Sequence, residues 1–205
     1  MRTALVLAAL VLVVVAGTAY AGPNWQARVT LDLDGLTPGN DHLVLKRGVR
    51  GGEDVDVAIY CYNVFNLIAY DIRLSYDPAV VDWNQDYTSK NMRGEGNILD
   101  RFDVETLFFS KSHPEDVAVI IIGNAIVDFT AETAPEGEGL MAIVSFTTKA
   151  AFAEDDQALF RLLSVELRDS EGHKDTVLPG NLREAGLNEA DAVECHRWGQ
   201  IKATF

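Results

Sequence analysis

Along residues 29–34, VTLDLD, apolar and polar positions alternate with a period of two, the spacing of a strand that buries one face and wets the other. The same alternation returns in Val55-Val57-Ile59-Cys61, in Tyr70-Ile72-Leu74-Tyr76 and in Leu140-Ala142-Val144-Phe146, and it predicts strands with those residues on a core. Residues 117–122 are continuously apolar, as suits a strand covered on both sides, and residues 160–167 supply a further one. Turn-forming clusters punctuate these runs: TPGN at 37–40, GGED at 51–54, DP at 77–78, PEGEG at 135–139 and DSEG at 169–172. No long window carries helical periodicity, and residues 78–83, 98–108 and 184–193 each have room for only a short helix or helical turn. Many short strands separated by Gly, Pro and Asx predict an all-β fold, a two-sheet antiparallel β-sandwich. After Leu178-Pro179-Gly180 the chain becomes polar and Glu-rich and then ends in HRWGQIKATF. The sandwich is therefore expected over residues 22–178, with residues 179–205 as a C-terminal appendage.

The first 21 residues read differently. Arg2 precedes an unbroken apolar run over residues 4–16 and a small-residue segment ending Ala19-Tyr20-Ala21. A basic start, a short apolar stretch and an A-x-A site make a secretory signal peptide. The run is shorter than the roughly 20 residues needed to cross a bilayer. An extracellular or cell-surface location is expected, with no membrane insertion after cleavage. The formal net charge of −14 repels phosphate backbones and anionic lipid, which argues against nucleic acid or a membrane surface as partner. It leaves calcium, or a basic protein, as charge-matched alternatives to simple solubility. The two cysteines, Cys61 and Cys195, sit in a compartment where a disulfide can form. Two unpaired thiols are the alternative.

Three blocks carry a resemblance. GGEDVDVAIYCYNV (residues 51–64) is a Gly-led alternating strand, YDIRLSYDPAVVDW (70–83) runs a strand into Tyr-Asp-Pro and a short apolar return, and GEGLMAIVSFTTKA (137–150) is a Gly-Leu strand in which a core Phe precedes a polar end. In this order they resemble the cohesin-like modules of the bacterial carbohydrate-binding-domain superfamily, over residues 29–177. The resemblance implies a jelly-roll-like sandwich of about nine strands that acts by binding and has no catalytic centre. In cohesins the ligand is a dockerin module, and related sandwiches bind polysaccharides. Residues 84–116 and the tail match no family pattern, and the family's binding surface carries no fixed motif from which site residues can be transferred.

Among individual residues, Asp71 falls on the solvent side of its strand and Asp77 begins the turn at Pro78, so this carboxylate-rich stretch reads as a strand and corner and not as a glycosidase pair. There is no HExxH, GxSxG or CxxC. LDLDGLTPGND departs from the EF-hand template, since Leu43 stands where the bidentate Glu belongs, but Asp32, Asp34 and Asp41, with Asn40, remain candidates for an irregular calcium site. Tyr60 and Tyr62 share the outer strand face and form the candidate sugar platform; an aromatic cross-strand pair that stiffens the sheet, or cover by a neighbouring segment, is the alternative. In the tail, Trp198, Ile201 and Phe205 recur at the spacing of one helix face, to dock on the sandwich or to contact a partner. The expected function is a secreted, non-enzymatic module binding a dockerin-type protein or a polysaccharide at the cell surface. The alternative is a structural subunit of a surface layer or fibre that self-assembles through its tail.

Overall fold

The computed structural model describes residues 22–34, 43–91 and 95–188. Eleven strands run through them: β1 (Arg28–Asp32), β2 (Leu45–Lys46), β3 (Asp54–Val64), β4 (Leu67–Ser75), β5 (Val81–Trp83), β6 (Thr106–Ser112), β7 (Val119–Ile126), β8 (Gly137–Thr148), β9 (Ala158–Asp169), β10 (Lys174–Thr176) and β11 (Ala185–Leu187). Short 3₁₀ turns are the only helical elements among the described residues. One sheet has four strands in the order β1-β3-β8-β5; the other has seven, in the order β2-β11-β9-β4-β7-β6 with β10 on the flank of β9. Neighbouring strands are antiparallel except β2 and β11. This is the expected two-sheet sandwich.

The core lies between the sheets and is built by the alternating positions. Val55, Val57, Ile59 and Cys61 from β3 meet Tyr70, Ile72 and Leu74 from β4, all buried. Phe146 of β8 is wedged between the rings of Tyr76, 5.3 Å away, and Phe160, 4.8 Å away, so both sheets converge on one aromatic cluster. At the corner after β4, Asp77 Oδ1 accepts the Ala79 N–H at 2.8 Å, which accounts for this carboxylate structurally.

Four features depart from the sequence pattern. Alternation places Leu140 inward, but Ile59 pairs with Ala142 while Tyr60 pairs with Leu140, so Met141 is an extra residue in β8. This bulge sends Met141 into the core and turns Leu140 outward, where it joins Ala58, Tyr60 and Ile143. A second register shift, between Arg73↔Ser164 and Leu74↔Leu162, makes Leu163 the extra residue in β9. Val117 lies in the turn before β7 and not in the strand, which begins at Val119. Of the segments with room for a short helical turn, 98–108 holds one as a 3₁₀ turn (Ile98–Asp100) followed by a loop and β6, whereas 78–83 is a turn leading into β5.

The sandwich also extends beyond residue 178. β11 pairs with both β9 and β2, Leu182 bridges Val29 in parallel, and the Asn188 side chain bonds both backbone groups of Val49. The segment Ala-Gly-Leu is too short to show a period, which is why it reads as tail.

The loop between β5 and β6 is held by polar groups. Asn97, buried at the base of the loop, donates from Nδ2 to Tyr70 Oη (2.9 Å), to Lys90 O (3.1 Å) and to Met141 O. Its Oδ1 accepts from the Leu99 N–H (3.0 Å) and from Asn124 Nδ2 (3.3 Å). Ser89 exchanges two backbone bonds with Ile143, at 2.9 and 2.8 Å, so the loop continues the edge of the four-stranded sheet beside β8, beyond the end of β5.

Candidate functional site

The other outward face, that of β9-β4-β7-β6, carries no covering segment of comparable contact among the described residues. The register sets out its residues in three rows. The first is Arg168, Ala69, Ala125 and Leu107; the second is Glu166, Asp71, Gly123 and Phe109; the third is Ser164, Arg73, Ile121 and Lys111. Small residues in the middle of the first two rows keep the surface shallow. Gly123 has a specific reason to lack a side chain: a Cβ there would come within 2.4 Å of the Phe109 ring, which lies directly over it. Lys111 Nζ sits 5.7 Å from the centroid of that ring, within cation–π range.

The apolar side chains here stay in solvent. Leu107 is 65% exposed, Phe109 42% and Leu163 53%, and Leu163 is outside only because of the bulge in β9. Charged residues stand among them, with Asp71 and Arg73 on β4 between Leu163 on β9 and the Leu107-Phe109 pair on β6. Asp71 and Glu166 stand directly opposite each other, and partial burial together with the Glu166 charge raises the Asp71 pKa above the usual carboxylate value. Glu166 is in turn held by Lys174 Nζ at 2.7 Å, and Arg161 pairs with Glu184 at 3.0 Å. Exposed aromatic and aliphatic groups amid charges of both signs, on one sheet face with a hollow of about 190 Å³ at Asp71, Glu166 and Arg168, suit recognition of a protein surface.

The residues singled out in the sequence lie elsewhere. Tyr60 and Tyr62 do share the outer face of β3, but Tyr60 is 3% exposed, and its hydroxyl donates to Glu95 Oε2 at 2.8 Å. Burial and that hydrogen bond both raise its pKa. A ring covered in this way presents no face to a sugar; the covering segment is the Asn97-pinned loop. The Arg28 guanidinium lies over the Tyr62 ring, 4.4 Å from its centroid. Asp32 is buried, and its Oδ1 accepts the Asp34 N–H at 2.9 Å, capping the end of β1. Asp41 lies outside the described residues, among which no group of three or more His, Cys, Asp or Glu side chains converges to hold a metal ion.

Cys61 is fully buried in the core, its Sγ 3.5 Å from Gly139 O, and burial pushes its thiol pKa up to about 12. Cys195, Trp198, Ile201 and Phe205 lie outside the described residues. Sequence reasoning missed Leu107, Phe109 and Leu163. In Thr106–Ser112, TLFFSKS, Leu107, Phe109 and Lys111 do share one face, but Phe108 on the other masks the alternation.

Solved structures similar to this architecture include cohesins. A chain of a type II cohesin–X-dockerin complex from Acetivibrio cellulolyticus is similar with a TM-score of 0.58 at 14% identity, over 80% of this chain and 100% of that one. A type II cohesin domain from the cellulosome of the same organism gives 0.54 at 20% identity, over 80% and 95%. A non-cellulosomal cohesin from the hyperthermophilic archaeon Archaeoglobus fulgidus gives 0.53 at 15% identity, over 84% and 96%. No family model and no curated protein matches the sequence. At such identities the likeness shows the fold alone, a cohesin-like sandwich, which is the fold that the blocks at residues 51–64, 70–83 and 137–150 imply.

Proposed function

We propose that this chain is a secreted, non-catalytic module that binds a dockerin-type protein partner at the cell surface through the outer face of β9-β4-β7-β6. The observation that carries the reading is that Leu107 and Phe109 on β6 and Leu163 on β9 stand exposed on one sheet face that also carries charges of both signs. Two further points support it. Structures of the same fold include one solved as a cohesin–dockerin complex, and residues 1–21 have the make-up of a signal peptide. The face mixes exposed aromatic and aliphatic groups on β6 and β9 with charges and small residues between them, a composition found at protein interfaces. Its carboxylates Asp71 and Glu166 stand opposite each other on neighbouring strands and, with Arg168, line a hollow of about 190 Å³, and Glu166 is salt-bridged to Lys174.

The test is calorimetric titration of residues 22–205 against a panel of dockerin modules. Binding at about 1 μM or tighter, weakened at least about tenfold by Phe109→Ala, is expected. Silence across the panel, or binding indifferent to Phe109 and Leu163, would reject the reading.

A further inference from the structure

Gly22 directly follows the Ala19-Tyr20-Ala21 segment, and it is buried. It sits against β10 and the turn before it: a Cβ on Gly22 would fall 2.5 Å from Asp175 Oδ2 and 2.6 Å from His173 Cβ. Any side chain at this position would therefore collide with both residues. The backbone nitrogen of Gly22 is about 2.5 Å from the place of that Cβ, so it lies within about 5 Å of the Asp175 carboxylate. The residues that follow are fastened to the same corner. Asp175 Oδ2 accepts the Asn24 N–H at 2.8 Å, Asn24 Nδ2 donates to Phe65 O at 3.0 Å, and Asn24 Oδ1 accepts the Phe65 N–H at 2.7 Å.

Asp175 is 4% exposed, yet among the described residues no Lys or Arg side chain pairs with it. The neighbouring groups are committed elsewhere. Asp169 Oδ1 accepts the Glu171 and His173 N–H groups at 3.0 and 2.9 Å, its Oδ2 lies 2.8 Å from His173 Nδ1, and Lys174 pairs with Glu166. Asp169, Glu171 and Asp175 all act on the one histidine, His173, so the corner carries an excess of negative charge. A buried carboxylate without a countercharge is costly, and an opposite charge within about 4–6 Å favours the ionised form of both groups. Processing supplies such a charge. Hydrolysis of the Ala21–Gly22 amide consumes one water, leaves a carboxylate on Ala21, and leaves an amine on Gly22 that takes up a proton. We infer that Asp175 is the receptor for this new Gly22 ammonium group, so that removal of residues 1–21 locks the mature N-terminus into the fold. The inference rests on the secretion reading above. The uncleaved chain has a neutral amide at the same nitrogen and lacks the ion pair.

The experiment compares chains of defined start, 22–205 and 20–205, each with Asp175 and with Asp175→Asn. The longer chain keeps Tyr20-Ala21, so its Gly22 nitrogen stays an amide, and Asn at 175 still offers an oxygen to the Asn24 N–H. In 22–205 the Gly22 amine, followed by NMR, should titrate about one unit above the ordinary α-amino value of about 8. Its melting temperature at about pH 7 should be about 2–4 °C above that of 20–205. This margin is complete below the ordinary α-amino value and is lost as pH rises through the raised folded one. It should vanish in Asp175→Asn. A normal Gly22 titration, equal melting of the two chains, or a margin that survives Asp175→Asn would overturn the assignment. The mass of the product exported from the full chain checks the cleavage separately. A start other than Gly22 overturns the assignment through the secretion reading, whereas a Gly22 start with a normal titration overturns it through the pairing alone.

Discussion

Replacing Asn97 with alanine removes the side chain that ties the loop between β5 and β6 to the core, and its cost can be worked from the partners left behind. The Leu99 N–H loses its capping acceptor, about 1 kcal/mol. Asn124 Nδ2, buried, loses the acceptor it has in Asn97, about 1–3 kcal/mol. Tyr70 Oη and Met141 O keep each other and contribute little. The sum is about 2–4 kcal/mol, a large share of the roughly 5–15 kcal/mol that holds a domain of this size folded. Asn97→Asp should cost more, because it sets a carboxylate oxygen against the Lys90 and Met141 carbonyls where an amide N–H₂ now donates. Urea unfolding measures both, with a lowered midpoint and an unchanged slope. The amide of Ile143, bonded to Ser89 O in the same loop, should exchange faster in both variants. A loss below about 1 kcal/mol for Asn97→Ala, or Asn97→Asp as stable as Asn97→Ala, would refute the idea that this amide network holds the loop.

Leu74→Ala, at a fully buried core position, should cost about 2–5 kcal/mol by the same urea assay. Asp71→Asn should stabilise by about 0.2–1 kcal/mol at neutral pH, since it relieves a like-charge pair with Glu166. The sign follows from the raised Asp71 pKa: the folded state holds this proton more tightly, so stability falls as pH rises from 3.8 through the folded value, and the variant should lack that fall. His173 lies 2.8 Å from Asp169, which raises its pKa; the stabilisation is complete below pH 6.5 and is lost as pH climbs through the folded value. The urea midpoint should therefore drop across that window, and a flat profile would count against the pair; His173→Gln should abolish the drop.

The architecture was legible where burial is one-sided and alternation uninterrupted. β3, β4 and the second half of β8 follow directly from every-second-residue apolar positions, because a pleated strand can bury only those. Leu140 was misplaced because one extra residue reverses the phase, and nothing in GEGLMAIV marks where it enters. Residues 84–105 were illegible for another reason: their anchor is an amide, Asn97, whose partners are distant in sequence, and a polar residue in a polar stretch gives no sign of being buried. The Phe109 face was missed because its centre consists of Gly123, Ala69 and Ala125, small residues that carry no chemical signature until strand order brings them together.

The bulge at Leu163 has an evolutionary side. The core-facing residues Phe160, Leu162, Val165 and Leu167 sit on either side of it and keep their places in the sandwich. The extra residue adds one apolar group, Leu163, to the outward surface. A lineage that gains or loses one residue at this point can exchange what the module displays without touching what keeps it folded. Partner preference can then drift by chain length, a route that a comparison of substitutions alone would overlook.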